Sequence, residues 1–570
     1  MRRKIITSML AVGALLGAGV SHSAQAHDGP GDHPPDVAGP IFADGGVMAG
    51  STNGISFAPD GTLYIANVFG QTITQIDPDS GEILSRLTAA DQVFFPDDVF
   101  VADDGAIYWT EIALGFVYKK PVGEEAFPLA PLNSANPLVL TDTGRLFAAG
   151  CYGGPPGNSF VEIDPDLDGD RVSAGIVNTL FGPVDDCASN GMSWNDGYLY
   201  SPQPFKDEVW RVDPDTGDTT PVTTGWKVPI GTAFGPDGEL YALAQGDGEV
   251  VRIDLDNPDT ENNRTVLTDI PVGWADNIAV NDEGRIFISS STDSQIEEVL
   301  DNGKRRVVVP GQFQMTLGVS VIGKTVYTTN SSSVVGFNRR NGKQTSHFRA
   351  PFGFGFPFTL GSVAWGRNLV LMSGFNGDIV LWDPVNNVPL AEGPPLFPID
   401  AQPFQDDLIV TTGSPTGEIF RLADDLSLIG GPIAAVPGAT GIAAKGGDVY
   451  VSVLGTGAGD GTVVQIIDDG VDLATPVTVV DGLDGPEGLD IRGNKLYVVE
   501  GGLATQALTR VNLKNGRRTT IAADLGFQGP FIFPYGYFNN VTIGGGRMYV
   551  NADRANVIYE FHVRGHRRHW

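Results

Sequence analysis

A repeat constrains this chain more than any other feature, because it restricts the fold before any secondary structure is assigned. A turn glycine followed by an apolar-aromatic strand recurs as Gly61-Thr-Leu-Tyr, Gly105-Ala-Ile-Tyr, Gly144-Arg-Leu-Phe, Gly197-Tyr-Leu-Tyr, Gly238-Glu-Leu-Tyr and Gly284-Arg-Ile-Phe. It continues more loosely at Gly323, Gly366, Asp407, Gly447, Gly493 and Gly546. Gly61 to Gly546 is 485 residues in eleven intervals, a mean of about 44, the size of one four-stranded propeller blade. The count predicts twelve blades.

Each repeat reads as strand, turn, strand. In Asn53-Gly-Ile-Ser-Phe-Ala-Pro-Asp-Gly-Thr-Leu-Tyr, β-branched and aromatic residues flank a Pro-Asp-Gly cluster that favours a turn. Further strands end in Asp-Pro-Asp turns, as at Asp77-Pro-Asp-Ser-Gly81 and Asp213-Pro-Asp-Thr-Gly217. No window of a dozen residues beyond the N-terminus shows a 3.6-residue apolar period, so the chain is expected to be all-β. Propellers close at four to eight blades, so two tandem six-bladed β-propellers fit the count better than one ring of twelve; seven plus five would leave one ring small. The repeat changes character between Gly284 and Gly323, which places the boundary near Pro310-Gly311. The expected organisation is a leader at 1–26, a lead-in at 27–50, propellers at 51–310 and 311–563, and a basic tail at 564–570.

Charge narrows the partners. The 570 residues carry 36 Lys+Arg against 68 Asp+Glu, a net charge of −32. Arg2-Arg3-Lys4, an apolar run from Ile5 to Val20 and Ala24-Gln25-Ala26 follow the order of a secretory signal peptide, with cleavage expected after Ala26 and a periplasmic or secreted product. The leader holds three basic and no acidic residues, so its loss takes the charge to −35. Such a surface repels phosphate backbones and anionic lipid headgroups. Nucleic acid is excluded as a partner, and so is the membrane once the leader is removed. An oxidising compartment permits Cys151 and Cys187 to pair, but two buried thiols without a bond fit the sequence equally well.

In a propeller the first strand of each blade lines the central channel, so residues at its start converge from distant parts of the chain. Counting back from the turn glycine, those positions in the first half are Asn53, Asp97, Asn136, Asn190, Ile230 and Asp276. Five of the six offer a side-chain oxygen. Local turn preferences of Asn and Asp account for two or three of these, which leaves a polar ring to explain.

Ser189-Asn-Gly-Met-Ser-Trp194, Asp276-Asn-Ile-Ala-Val-Asn-Asp-Glu-Gly-Arg-Ile-Phe287 and Asn136-Pro-Leu-Val-Leu-Thr-Asp-Thr-Gly-Arg-Leu-Phe147 resemble stretches of the senescence-marker-protein, gluconolactonase and regucalcin family of six-bladed metal-dependent hydrolases. The likeness spans about residues 50–300. It implies that Asn190 and Asp276 are metal ligands, that Asp276 also serves as base, and that Asn136 contacts substrate. The first-blade ligand of the family is Glu, where this chain has Asn53. An amide oxygen still coordinates a hard cation, with one negative charge fewer, and Asp97 on the next blade is placed to restore that charge.

The remaining residues limit the chemistry. Of seven histidines only His347, in an Asn-Gly turn of the second half, lies inside the repeats, so a His base, a four-His iron site or a Ser-His-Asp triad lacks its parts. Asp164-Pro-Asp-Leu-Asp-Gly169 resembles the start of a calcium loop but has Gly175 where a bidentate Glu is required, and reads as an outer acidic turn. Metal-assisted hydrolysis fits what is left. A divalent cation on Asn190, Asp276 and Asn53, with calcium preferred over magnesium, manganese or zinc for an all-oxygen site, would polarise the carbonyl of a small lactone or ester. Asp276 or Asp97 would take a proton from water and Asn136 would donate to the oxyanion. Trp194 and Trp274 are either a substrate wall or packing between blades. The second-half ring, counted as Leu317, Leu360, Asp400, Gly441, Glu487 and Asn540, is poorer, which suggests a degenerate or binding propeller with an unnamed partner. Two other readings stay open: a non-catalytic exported propeller that binds a ligand, polymer or protein, and a carbon–oxygen lyase on the same scaffold.

Overall fold

The computed structural model describes residues 40–45, 50–150, 159–166, 176–181, 189–314, 316–351, 356, 359–373, 377–413, 416–455, 458–467, 475–502, 504–527 and 539–563. The leader, Cys151, Cys187, Gly175 and the basic tail lie outside these residues. The described residues form 48 strands in twelve antiparallel four-stranded sheets. No helix among them is long and apolar enough to cross a membrane. Two compact units result, one on residues 50–314 with 349–351, the other on 40–45, 316–348 and 356–563. In the first unit the opening strands of the six sheets are Thr52–Phe57, Pro96–Val101, Ala135–Leu140, Ser193–Asn195, Pro229–Phe234 and Ile278–Val280. Each packs on the opening strand of the next sheet, and the sixth packs on the first. The opening strands of the second unit pack into a ring in the same order, so the protein is a pair of tandem six-bladed propellers.

Apolar residues alternating along the strands fill the gaps between sheets. Between the last and first sheets of the first unit, Ala279, Phe287, Ile296 and Val308 meet Ile55, Leu63, Ile65 and Ile76. Between its second and third sheets, Tyr108, Val117 and Leu129 meet Leu138, Leu146 and Val161. Burial of this kind contributes about 25 cal/mol per Å² of apolar surface, and it is repeated around each ring.

Turn chemistry differs between the units. In the first, five of the six sheets join opening and second strands by five-residue loops, and the fourth by the two-residue turn Asp196-Gly197: in the first loop Gly61, at φ +83°, donates its N–H to Ala58 O, and Ala58 donates to Thr62 O, both at 2.9 Å. In the second, the strands pair down to Ile322↔Thr325, Trp365↔Asn368, Phe404↔Asp407, Lys445↔Asp448, Arg492↔Lys495 and Gly544↔Arg547. Each pair leaves a two-residue turn whose first residue, Gly323, Gly366, Gln405, Gly446, Gly493 or Gly545, has φ between +57° and +64°. Glycine meets that demand without strain. The outer Asp-Pro-Asp turns hold because Asp77 Oδ1 accepts from the N–H groups of Asp79 and Ser80 at 2.9 and 2.8 Å. Asp164 accepts from Asp166 N–H at 3.0 Å in the same manner, consistent with an acidic turn.

Two expectations need correction. The lead-in is not merely a connector, because Ile41–Asp44 is the outermost strand of the last sheet of the second unit, paired with Val557–His562. Phe42 fixes it, its ring 4.9 Å from Tyr549 and 6.3 Å from Phe337 in edge contacts. Four residues are too few to register as a strand beside a Gly/Pro-rich stretch. His347 lies on the strand Gln344–Arg349 and not in a turn, and it is not alone inside the repeats, because His562 ends the strand Val557–His562.

Candidate cation site in the first propeller

Thr52-Asn53, Pro96-Asp97 and Ala135-Asn136 open three of the opening strands, and Ser189-Asn190 and Ala275-Asp276 lie just before two others. Hydroxyls on neighbouring strands hold the backbone there. Ser289 Oγ donates to Asn53 O at 2.6 Å and accepts from Asn277 N–H at 2.9 Å. Thr110 Oγ1 donates to Asn136 O at 2.7 Å and accepts from Asp98 N–H at 2.9 Å. Thr232 Oγ1 donates to Gly191 O at 2.9 Å.

The five side chains are 3–9 % exposed. One oxygen of each, Asn53 Oδ1, Asp97 Oδ2, Asn136 Oδ1, Asn190 Oδ1 and Asp276 Oδ1, is buried without a hydrogen-bond partner. A buried polar oxygen left unsatisfied costs about 1–3 kcal/mol, and native interiors contain few. Five at equivalent positions of one ring form a built feature. Asn53 Nδ2 donates to Asp97 Oδ1 at 3.1 Å, joining the first and second sheets. The sixth position is Ile230, which is buried against Leu243 and Trp274.

Electrostatics ties the carboxyls together. Burial, then the charges of Asp276 and Asp98, push Asp97 well above the ordinary carboxylate range. Burial raises Asp276 to about 7, opposed by a hydrogen bond from Ser291. Asp98 is also raised to about 7 by burial, against N–H groups that favour its charge. Among the described residues, no Arg or Lys offsets the charge of any of the three. Nor is any group of three or more His, Cys, Asp or Glu among those residues arranged to hold a metal ion. The ring is a different kind of donor set, three amide oxygens and two carboxylates. That set suits a hard divalent cation, which takes six to eight oxygens from carboxylates and amide carbonyls alike.

Asp97 and Asp98 divide the work of one position. Asp98 Oδ1 accepts from Val99 N–H at 2.9 Å and its Oδ2 from Leu138 N–H on the next sheet at 3.1 Å. The carboxyl that follows the ring residue therefore staples two sheets. Asp400 does the same in the second unit, accepting from Ala401 and Ile442 N–H at 2.9 Å each, and Asp490 accepts from Ile491 and Ile543 N–H at 2.6 and 2.7 Å. Asp400 thus matches Asp98, Gly441 matches Gly54 and Asn540 matches Asn277. The ring of the second unit is Leu317, Leu360, Ile399, Thr440, Glu487 and Asn539, each six residues before the first residue of its turn. Counting six back from Gly447 and Gly546, and seven back from Asp407, lands one residue late, on Gly441, Asn540 and Asp400. Trp194 donates to Asp142 at 2.9 Å and stacks on Phe147, and Trp274 donates to Asp293 at 3.1 Å within the core, so both are packing residues.

A family model described as a repeat of unknown function (DUF6923) matches residues 166–278. No curated protein matches the chain. Among solved structures, a streptogramin B lyase is 16% identical over 50% of this chain and 93% of its own, with a TM-score of 0.36. A catalytically inactive variant of the virginiamycin B lyase of Staphylococcus aureus, with quinupristin, is 15% identical over 49% and 92%, with a TM-score of 0.35. A nidogen/laminin complex gives 12%, 41% and 89%, with a TM-score of 0.24. Superpositions this loose carry no functional argument, and the fold rests on the sheets themselves.

Proposed function

We propose that the chain is an exported, metal-dependent hydrolase of a small lactone or ester, with its site in the channel of the first propeller. The observation that carries this reading is the ring of five buried oxygens without partners, two of them on carboxyls. Asn53, Asn190, Asp276 and Asp97 would hold a divalent cation, calcium before magnesium, manganese or zinc. When bound, the cation would polarise the scissile carbonyl as a Lewis acid.

The chain's own groups supply the rest. Asp97 and Asp276 face one ring from its second and sixth sheets, and one of them, as carboxylate, takes a proton from the attacking water. Asn136, between Asp97 and Asn190 in ring order, donates an amide N–H to the developing oxyanion. The hydrogen bond from Asn53 Nδ2 keeps Asp97 aimed inward. The basic, apolar, small-residue order of residues 1–26 supports export.

The test is pH-stat hydrolysis of a panel of sugar and aliphatic lactones by the mature protein. The protein is stripped with chelator and resupplied with calcium, magnesium, manganese or zinc, with Asp276→Ala in parallel. Metal-restored turnover that falls at least 100-fold in the variant supports the reading. Absence of turnover with every metal overturns it in favour of a non-catalytic ligand-binding propeller.

A further inference from the structure

The two propellers close differently. Each of the six sheets of the first is made of four consecutive strands, from Thr52–Leu87 in the first to Ile278–Val309 in the last. Five of its junctions are crossed by the chain. The seam between the sixth and first sheets is crossed by no covalent link among the described residues and shares no strand. The last sheet of the second propeller is instead stitched from both ends of its chain through Ile41–Asp44.

Beside the apolar cluster of Ile55, Leu63, Ile65 and Ile76 with Ala279, Phe287, Ile296 and Val308, the seam of the first propeller is held by local polar contacts. Thr52 Oγ1 donates to Ser290 O at 2.7 Å and accepts from Ser290 N–H at 3.2 Å. Ser51 N–H donates to Ser294 Oγ at 3.0 Å, and Ser289 Oγ reaches Asn53 O. At the outer rim Arg285 pairs with Asp79 at 2.8 Å, and Arg306 donates to Asp79 O and Pro78 O at 2.7 and 2.9 Å. These rim contacts are solvent-exposed and individually weak.

The ring oxygens flank this seam. Asn53 stands on the first sheet and is bonded to Asp97, while Asp276 stands on the sixth, each with a buried oxygen lacking a partner. Asp97, on the second sheet, reaches the seam only through its hydrogen bond with Asn53. A divalent cation shared by the open oxygens of Asn53, Asp97 and Asp276 would cross-link the first and sixth sheets.

We propose that a divalent cation held by Asn53, Asp97 and Asp276 is the closing element of the first propeller, joining its first and sixth sheets where no strand does. This rests on the cation reading given above. It adds that occupancy is felt unequally around the ring. Binding at a site with no special relation to the seam would raise stability by mass action alone, whereas a clasp selectively suppresses opening at one junction.

The experiment is hydrogen exchange on the full mature chain, chelated and then supplied with calcium, with calcium binding measured calorimetrically on the same samples. Exchange across Thr52–Phe57, Ile286–Ser290 and Gln295–Val299 is expected to slow at least ten-fold more than across Ala135–Leu140 or Pro229–Phe234. Calcium binding with protection that is uniform or unchanged would overturn the clasp and leave the cation site standing. No calcium binding would overturn both. Ser289→Ala loosens the seam at the Asn53 carbonyl without removing a ring side-chain oxygen, and calcium should raise its melting temperature more than that of the unsubstituted chain; an equal or smaller rise contradicts the clasp. Asp276→Asn should abolish the local protection, and protection that persists in it contradicts the clasp as well.

Discussion

Asp97 and Asp98 are neighbours in sequence with opposite tasks. Both oxygens of Asp98 are occupied by N–H groups of Val99 and Leu138, so its role is to bind two sheets together. Asp97 meets one amide and leaves an oxygen open. Asp98→Ala should therefore cost about 2–3 kcal/mol of stability, from the N–H groups left unsatisfied, measured as a lowered melting temperature of the first propeller. Asp97→Asn should leave stability within about 1 kcal/mol of its value, since no donor loses its acceptor, while weakening calcium binding at least ten-fold. Equal effects of the two substitutions would show that the division of roles is wrong. Gly54 belongs to the same argument, since a Cβ there would lie 2.2 Å from Asp98 Oδ1. Gly54→Ala should destabilise by about 1–3 kcal/mol through overpacking.

At the scale of the strand and its turn, the frame of the second propeller is set by the first residue of each two-residue hairpin. Five of the six are glycine and the sixth is Gln405, at φ +57°. A Cβ on Gly366 would touch nothing within 4 Å, so Gly366→Ala measures left-handed strain alone and should cost about 1 kcal/mol. Gln405→Gly should leave stability unchanged or raise it; a loss of the same size as Gly366→Ala would contradict this account of the turns. These turns also explain what can be read in advance. Repeat length, all-β class and the pairing into two six-sheet rings are legible, because Pro-Asp-Gly clusters and alternating apolar residues report directly on local geometry. Four of the five polar ring positions of the first propeller can be located because they lie eight residues before the turn glycine of a five-residue loop, and Asn190 because it lies seven before Gly197 of a two-residue turn. The second ring is misread at Asp400, Gly441 and Asn540, since neither the Gly446-Gly447 and Gly545-Gly546 pairs nor the glycine-free turn at Gln405 shows in sequence which residue comes first in the turn. That Asp98 spends both oxygens on N–H groups while Asp97 keeps one oxygen open is invisible in the sequence, because it depends on which side chain meets Leu138 of a different sheet. The strand at Ile41–Asp44 is missed for a related reason, as its partner Val557–His562 lies at the far end of the chain.

For the whole molecule, the two propellers should respond differently to truncation and to pH. Removing residues through Gly45 deletes the outer strand of the last sheet and the Phe42 contacts. It should lower the melting temperature of the second propeller and leave that of the first unchanged, as read by calorimetry with calcium present. In the second propeller burial raises Asp400 to about 8 and Asp490 to about 7, outweighing the N–H donors that favour their charged forms. Unfolded aspartates ionise near pH ~4, so between that pH and about 8 the folded form binds more protons than the unfolded one. Stability from these groups is therefore full below the unfolded value of about 4 and is lost as pH rises through the folded values. The melting temperature of the second propeller should fall across that range, and a rise would show that these carboxyls are ionised in the folded state. The central claim, that the first propeller holds a cation on its ring of oxygens, is tested most directly by calorimetric titration of chelated mature protein with calcium, alongside Asp97→Asn and Asp276→Asn. The account predicts one equivalent of calcium bound by the unsubstituted chain and at least ten-fold weaker binding in each variant. Undiminished binding in both variants, or none in the unsubstituted chain, would contradict it.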